Sequence, residues 1–311
     1  MPELPEVETV RRDLEARVIG RTIVFCDVSE DAPRLVQLVT RAEFCRQLTG
    51  RRIVGLRRRG KYLIVDLDDA VATARAWILH RGMSGNVLYR DRTAPEDPWV
   101  RATFVLDDGH ELRWADLRKF GKMWLVEDAT MVIETLGPEP LEAEFTPQVL
   151  RERAGKRSAP IKSVLLDQTV VAGVGNLYSD EALHDAKIHP MRPANKLKPG
   201  DWVRLHAGIV RALHMGIDAR GSSLGTTLRD HVNVDGDPGR NQETVRAYGR
   251  DGEPCYNNCG TLMRRLVVGG RSAVFCPKCQ PAPRGTAKDA TRTTPPPKRA
   301  REGKLHARPV A

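Results

Sequence analysis

The chain has 311 residues, 41% of them apolar, with a formal net charge of +10 and a pI of about 9.5. That length suits about two domains with real cores, while no run approaches the ~18 apolar residues of a membrane span, and the start lacks a signal-peptide layout. A cytoplasmic chain with no membrane partner is therefore expected, and the basic balance favours an anionic partner such as nucleic acid.

The charge is uneven. Residues 281–311 hold eight Lys/Arg against two acids and carry +6, leaving +4 for residues 1–280. From Pro281 the tail has PPP, KRAR and almost no large apolar residue, so disorder is expected.

The chain opens MPELPEVETVRR. Once Met1 is removed, Pro2 becomes the N-terminus and carries a secondary amine, with carboxylates at Glu3 and Glu6 close by. Val7, Val10, Leu14 and Val18 recur at helical spacing until Gly20, which predicts an amphipathic helix over 5–18. Strand signals follow at 21–28, 52–67, 76–89, 99–108, 110–114 and 122–128. Short β-rich runs broken by turns suggest a sandwich or barrel. GPEPLEAEFTP (137–147), with three prolines and little periodicity, reads as a linker between domains. Beyond it the period becomes helical at 149–153, 161–166, 176–186 and 202–217, and a turn-rich segment (219–244) leads to a cysteine cluster.

Of six cysteines, Cys26 and Cys45 stand alone and read as small core hydrophobes. The others form CYNNC-x16-CPKC: Cys255, Cys259, Cys276 and Cys279. Two thiol pairs on facing turns suit tetrahedral zinc, and the intervening apolar runs joined by Gly269-Gly270 read as a β-hairpin. Four thiolates leave no open position, so one such Zn2+ would be structural. The first knuckle has three intervening residues rather than two. Arg271 follows the hairpin turn and could reach a phosphate, or be merely solvated.

Three further constellations are weaker alone. In VVAGVGNLYSDEAL (170–183), Gly173, Gly175 and Asn176 suggest a helix start whose amides bind phosphate, with Asn176 as N-cap; a plain tight turn fits equally. RRRGKYLIVDL (57–67) offers three arginines and Lys61 to a nucleic-acid backbone, or simply a solvated basic turn. HRGMSG (80–85) and DLRKFG (116–121) each set an apolar side chain, Met83 or Phe120, in a turn rich in Gly and charge. Such a residue is a core plug or an exposed wedge able to enter unstacked base steps.

A free α-amine titrates near pH ~8, so a useful fraction is neutral and nucleophilic. Attack by Pro2 on the anomeric carbon of a nucleoside would expel the base. Ring opening would leave an iminium ion that acidifies the neighbouring sugar hydrogen and permits loss of phosphate. That chemistry needs carboxyls for proton transfer.

Taken together, MPELPEVETVRR, RRRGKYLIVDL, HRGMSG, DLRKFGK, LGPEPL, VAGVGNLYSDEAL, IHP, YGRDGEPC and FCPKCQ resemble the formamidopyrimidine-DNA glycosylases, bacterial repair enzymes for oxidised purines. The resemblance runs in order over residues 2–280. It implies an α+β multidomain chain: an N-terminal catalytic β-sandwich with flanking helices (1–136), the linker (137–147), a helix-two-turn-helix domain (148–244) and a β-hairpin zinc finger (245–280); the basic tail (281–311), expected from its composition to be disordered, lies outside the resemblance. DNA would lie in the cleft between.

The same resemblance implies roles. Pro2 would form the Schiff base, Glu3 would be the general acid/base, Glu6 would support the amine, and Lys61 would grip the phosphate beside the lesion. Met83, Arg118 and Phe120 would fill the gap left by the everted nucleotide, with Arg118 facing the orphaned cytosine. Asn176 and Arg271 would hold phosphates around the kink. A loop at about 221–236 would cover the flipped base, with Ser222, Ser223 and Thr226 as contacts. Two departures stand out: the longer zinc knuckle, and a segment before Tyr248 that lacks the phenylalanine-glutamine pair often found there. The expected activity is excision of 8-oxoguanine and formamidopyrimidines from duplex DNA, with β,δ-elimination at abasic sites, by a nucleoid-associated monomer. An endonuclease VIII-like preference for oxidised pyrimidines and a noncatalytic lesion-binding protein are the alternatives. Against the former stand Leu4 and the complete Met83/Arg118/Phe120 set; against the latter, the presence of Pro2, Glu3 and Glu6 together. The tail would be a nonspecific DNA tether or plain disorder.

Overall fold

The computed structural model describes residues 2–68, 74–223, 228 and 230–283. Helix α1 (Leu4–Val18) begins one residue ahead of the periodicity, because the Glu6 carboxylate accepts the Glu3 amide at 2.8 Å and closes the first turn. Its Val7, Val10, Leu14 and Val18 are all buried in one core. Burial of each contributes about 1.5–3 kcal/mol of transfer free energy.

That core lies between two antiparallel sheets. One has β1 (Ile23–Val28), β6 (Val100–Leu106), β7 (His110–Asp116) and β5 (Gly85–Asp91) in the order β1-β6-β7-β5. The other runs β2 (Ile53–Arg59), β3 (Tyr62–Leu67), β4 (Ala76–His80), β8 (Lys122–Val126). Trp77 and Phe104 meet across the layers with ring centroids 4.4 Å apart, so the sandwich of the two expected architectures is what forms. The apolar run 52–67 divides at Gly60, whose φ of +54° turns the chain so that Arg59 pairs with Tyr62. Cys26 is buried in this core and Cys45 packs half-buried against it.

Two helices escape the sequence pattern. α2 (Arg41–Leu48) buries only Phe44 and Leu48, and the Thr40 hydroxyl caps it by accepting the Glu43 amide at 3.2 Å. α3 (Thr130–Ile133) is a single turn.

Residues 137–147 are firmly held rather than free. Glu139 accepts the Gly60 amide at 2.9 Å and pairs with Arg58 and Arg59, while Phe145 is buried in the second core. Thr146 caps α4 (Pro147–Ala154). Together with α5 (Ile161–Leu166), α6 (Asn176–Asp185) and α7 (Pro199–Asp218), α4 builds that core, and Leu4 of α1 inserts into it. A hairpin of β9 (Arg264–Val268) and β10 (Arg271–Phe275) follows. Gly269 and Gly270, at φ +55° and +77°, make its two-residue turn. The tail beyond residue 283 lies outside the described residues. No helix among the described residues is long and apolar enough to cross a membrane.

Candidate active site

Two glycines allow the chain start to reach α6. A Cβ on Gly173 would fall 2.7 Å from Leu4, and one on Gly175 would fall 2.4 Å from the Glu3 carboxyl carbon. With bare backbone there, the Leu4 amide donates to the Gly173 carbonyl at 3.1 Å. The Gly175 and Leu177 amides then donate to the two oxygens of the Glu3 carboxylate at 2.6 and 2.9 Å. A side chain 172 positions earlier in the sequence thus satisfies the start of α6.

This corrects one expectation. The N-cap is Gly175, Asn176 is already helical, and these two amides hold a carboxylate rather than a phosphate. The Oδ1 of Asn176 is buried without a partner among the described residues, on the wall of a cleft.

Pro2 is buried immediately before Glu3. Glu6 lies beside them, its Oε1 accepting the Tyr178 hydroxyl and the Ser222 amide, each at 2.8 Å. Burial pushes the Glu3 carboxyl above its ordinary value; the Lys61 ammonium pulls the other way, and Glu6 adds to the rise. Lys61 shows the inverse: burial pulls its ammonium down, Glu3 opposes this, and Arg271 reinforces it. Glu3, Glu6, Met83, Asn176, Ser222 and Arg271 line the same cleft of about 260 Å³.

The two Gly-rich turns of the sandwich pack backbone on backbone. Gly82 has φ +60°, and a Cβ there would fall 2.5 Å from the Phe120 carbonyl carbon. Asp116 ties them, accepting the Ser84 hydroxyl at 2.6 Å and the Gly121 amide at 2.8 Å. The result leaves Phe120 53% exposed, with the Arg118 guanidinium 5.0 Å over its ring. Phe120 is therefore exposed and is not a core plug, whereas Met83 is half-buried in the cleft wall.

α6 also positions the cysteine module. Buried Lys162 pairs with buried Asp180 at 2.5 Å and donates to the Ser272 carbonyl at 2.7 Å; Asp180 accepts the Val274 amide at 3.2 Å. Burial lifts the Asp180 carboxyl to about 7 against the pull of Lys162. Glu181 accepts the amides of Arg246, Ala247 and Tyr248 at 2.8, 2.9 and 2.8 Å. Arg271 is thereby presented to the cleft. None of these three charged residues stands out in sequence, where they look like a solvated helix face. Tyr178 likewise carries no signal of its own in the sequence, although it lies inside the Gly-rich motif.

The sulfurs of Cys255, Cys259, Cys276 and Cys279 all lie within 4.8 Å of one another. Cys255–Cys279 and Cys259–Cys276 are separated by 3.9 and 3.5 Å. Zinc with Zn–S bonds of ~2.3 Å sets its sulfurs about 3.8 Å apart, so the quartet fits one tetrahedral ion despite the longer knuckle.

In the expected loop, Ser222 meets Glu6 through its amide. Ser223 is buried: its hydroxyl donates to the His231 carbonyl and accepts the Gly239 amide at 2.8 Å, so it braces the loop base instead of facing the cleft. Thr226 lies outside the described residues.

Family models match along the chain: the formamidopyrimidine-DNA glycosylase N-terminal domain at residues 1–123, the H2TH domain of that enzyme at 136–227, and the zinc finger found in FPG and IleRS at 252–282. The formamidopyrimidine-DNA glycosylase of Symbiobacterium thermophilum is 42% identical over 95% of this chain and 94% of its own. That of Bacillus licheniformis is 43% identical over 90% and 99%. Among solved structures, the Lactococcus lactis protein with abasic-site DNA is 37% identical, with a TM-score of 0.81 over 90% of this chain and 100% of its own. A mutant of that protein with Fapy-dG DNA is 36% identical, with a TM-score of 0.81 and the same coverage.

Proposed function

The chain belongs to the formamidopyrimidine-DNA glycosylase family, and from that premise we propose how its own residues perform glycosylase and AP-lyase chemistry on DNA bearing formamidopyrimidines, 8-oxoguanine or abasic sites. The observation that carries this reading is the buried Glu3 carboxyl, raised in pKa and held by two helix-start amides next to Pro2. A protein that only bound lesions would have no use for a proton carrier beside an amine.

With Met1 removed, the Pro2 amine attacks C1′ of an everted nucleotide and the base leaves with a proton. The sugar ring opens to an iminium. Glu3 supplies and removes protons at the opened sugar, and Glu6, fixed by Tyr178 and Ser222, supports the amine. Abstraction of the C2′ hydrogen then expels the 3′ phosphate, and a second elimination expels the 5′ phosphate. Eversion is required because so deeply seated an amine cannot reach a stacked nucleoside. Lys61, Asn176 and Arg271 grip phosphates, and Met83, Arg118 and Phe120 occupy the vacated stack. The four cysteines would hold a zinc ion that closes the hairpin module and takes no part in the reaction.

Borohydride reduction with 8-oxoguanine duplex DNA tests this reading. A covalent complex is expected with the processed protein and none when Met1 is retained. Absence of trapping by processed, zinc-loaded protein would overturn the assignment of Pro2. The same assay on an oxidised-thymine duplex separates a purine from a pyrimidine preference.

A further inference from the structure

Glu139 lies in the segment that joins the two cores, and the chemistry derived above gives it no part. Its side chain is only 10% exposed, yet it is the shared acceptor for three donors. One oxygen takes the Arg58 guanidinium; the other takes Arg59 Nη1 at 3.0 Å and the Gly60 amide at 2.9 Å. Arg58 Nε donates in turn to the Glu8 carboxylate of α1 at 3.0 Å.

The backbone that carries Glu139 is itself fixed. The Gly137 amide donates to the Gln168 carbonyl at 2.8 Å, and the Ala172 amide to the Pro138 carbonyl at 3.1 Å. Across the same seam, a Cβ on Gly60 would fall 3.2 Å from the Ala172 side chain and 3.3 Å from the Gly173 nitrogen. Gly173 in turn bears on Leu4 and accepts its amide. Lys61 and Glu3 each stand one residue away from that chain of contacts and so meet at one place.

We propose that Glu139 is a positioning residue for Lys61. By holding the Gly60 amide and both arginines, it docks the turn between β2 and β3 onto the loop that receives the chain start. How closely the Lys61 ammonium approaches Glu3 is then set from the segment between the cores. The inference rests on the proposed function, in which Glu3 carries protons.

The charges around Glu3 give the role a sign. Glu3 faces Lys61, Glu6, the amine of the chain start, Lys162 of α5 and the phenols of Tyr178 and Tyr248. Burial lifts its carboxyl, and Lys61 exerts the strongest opposing pull. Deleting the Glu139 charge by itself removes a negative neighbour, which lowers a carboxyl pKa. A rise therefore reports a displaced Lys61. Arg58 would keep the Glu8 carboxylate and the Gly60 carbonyl, and Arg59 the carbonyls of Leu136 and Gly137, so neither guanidinium is left bare without Glu139.

The test measures single-turnover base release from 8-oxoguanine duplex DNA against pH, with full-length, zinc-loaded protein. Glu139→Ala should move the high-pH limb upward by at least half the displacement that Lys61→Met produces. Added to Lys61→Met, it should move the limb no further. Glu139→Asp keeps the charge but falls one methylene short of the Gly60 amide; it should also raise the limb, and it serves where the alanine variant does not fold. Glu139→Gln removes the charge but keeps an acceptor for Gly60, and should leave the limb in place or lower it. A slower reaction with an unmoved limb in the alanine and aspartate variants would overturn the proposal. So would a further rise in the double variant, a rise with glutamine equal to that with alanine, or no shift with Lys61→Met itself. Wild-type protein that releases no base would instead overturn the proposed function.

Discussion

The carboxylate of Glu3 and the amide of Gly175 lie 2.6 Å apart although 172 residues separate them in sequence. The contact joins the first residues of the sandwich half to the first turn of a helix in the other half. The site is therefore assembled by the docking of two cores, and it can be tested at that seam.

Gly175→Ala should uncouple activity from stability. The φ at 175 is −131°, so the backbone tolerates alanine, but the added Cβ would meet the Glu3 carboxyl carbon at 2.4 Å. Displacing a proton-transfer group typically costs about 10²–10⁴ in rate. A loss of base excision in that range is expected, while the melting midpoint shifts by only a few degrees. Single-turnover kinetics beside a calorimetric melt would check it.

The pH dependence follows from the raised pKa of Glu3. If the protonated carboxyl is the active form, base release declines as pH climbs through the folded value, above that of a free glutamate. Lys61→Met removes the cation that pulls the carboxyl down, so this limb should move to higher pH. A limb that stays put or moves lower would contradict the pairing. The linkage has the same sign: the native state binds this proton more tightly, so Glu3's contribution to stability diminishes as pH rises from the ordinary carboxylate value through the folded one.

Phe120→Ala should weaken lesion-DNA binding without harming the fold. An exposed side chain contributes within about 0.5 kcal/mol to stability, whereas stacking against a base is worth about 1–3 kcal/mol. Fluorescence anisotropy on a lesion duplex should show the weaker affinity, and the thermal melt should be unchanged.

Chelating zinc should separate the two halves. The cysteine cluster shares no residue with the sandwich core. DNA affinity is expected to drop by more than tenfold, while emission from Trp77 and Trp114, both buried in the sandwich, reports an almost unaltered melt. Equal loss of both would contradict independent cores.

What could be read from the sequence was local or strongly periodic. α1, most strand runs and the cysteine hairpin follow from spacing, while Pro2, Glu3 and Glu6 are singled out only when the opening motif is set beside the others in the family resemblance. The partners of those residues were not legible. Gly175 looked like part of a turn capped by Asn176, because nothing local reveals that a distant carboxylate takes its amide. Arg81, Lys162 and Asp180 are charged, and a charged residue is ordinarily solvated; only the three-dimensional count of partners shows them buried. Ser223 fails for the same reason, since its hydroxyl is already engaged inward.

Helix α6 acts as a gauge block. Its first turn holds Glu3, and Asp180 and Glu181, four and five residues after Asn176, hold the zinc hairpin and the segment before it. At 1.5 Å rise per residue those spacings are about 6 and 7.5 Å along one rigid axis. The placement of the hairpin that carries Arg271 relative to Glu3 is accordingly not left to a hinge or to loop length. It is set by a little over one turn of a single helix, so both ends of the cleft move together with α6.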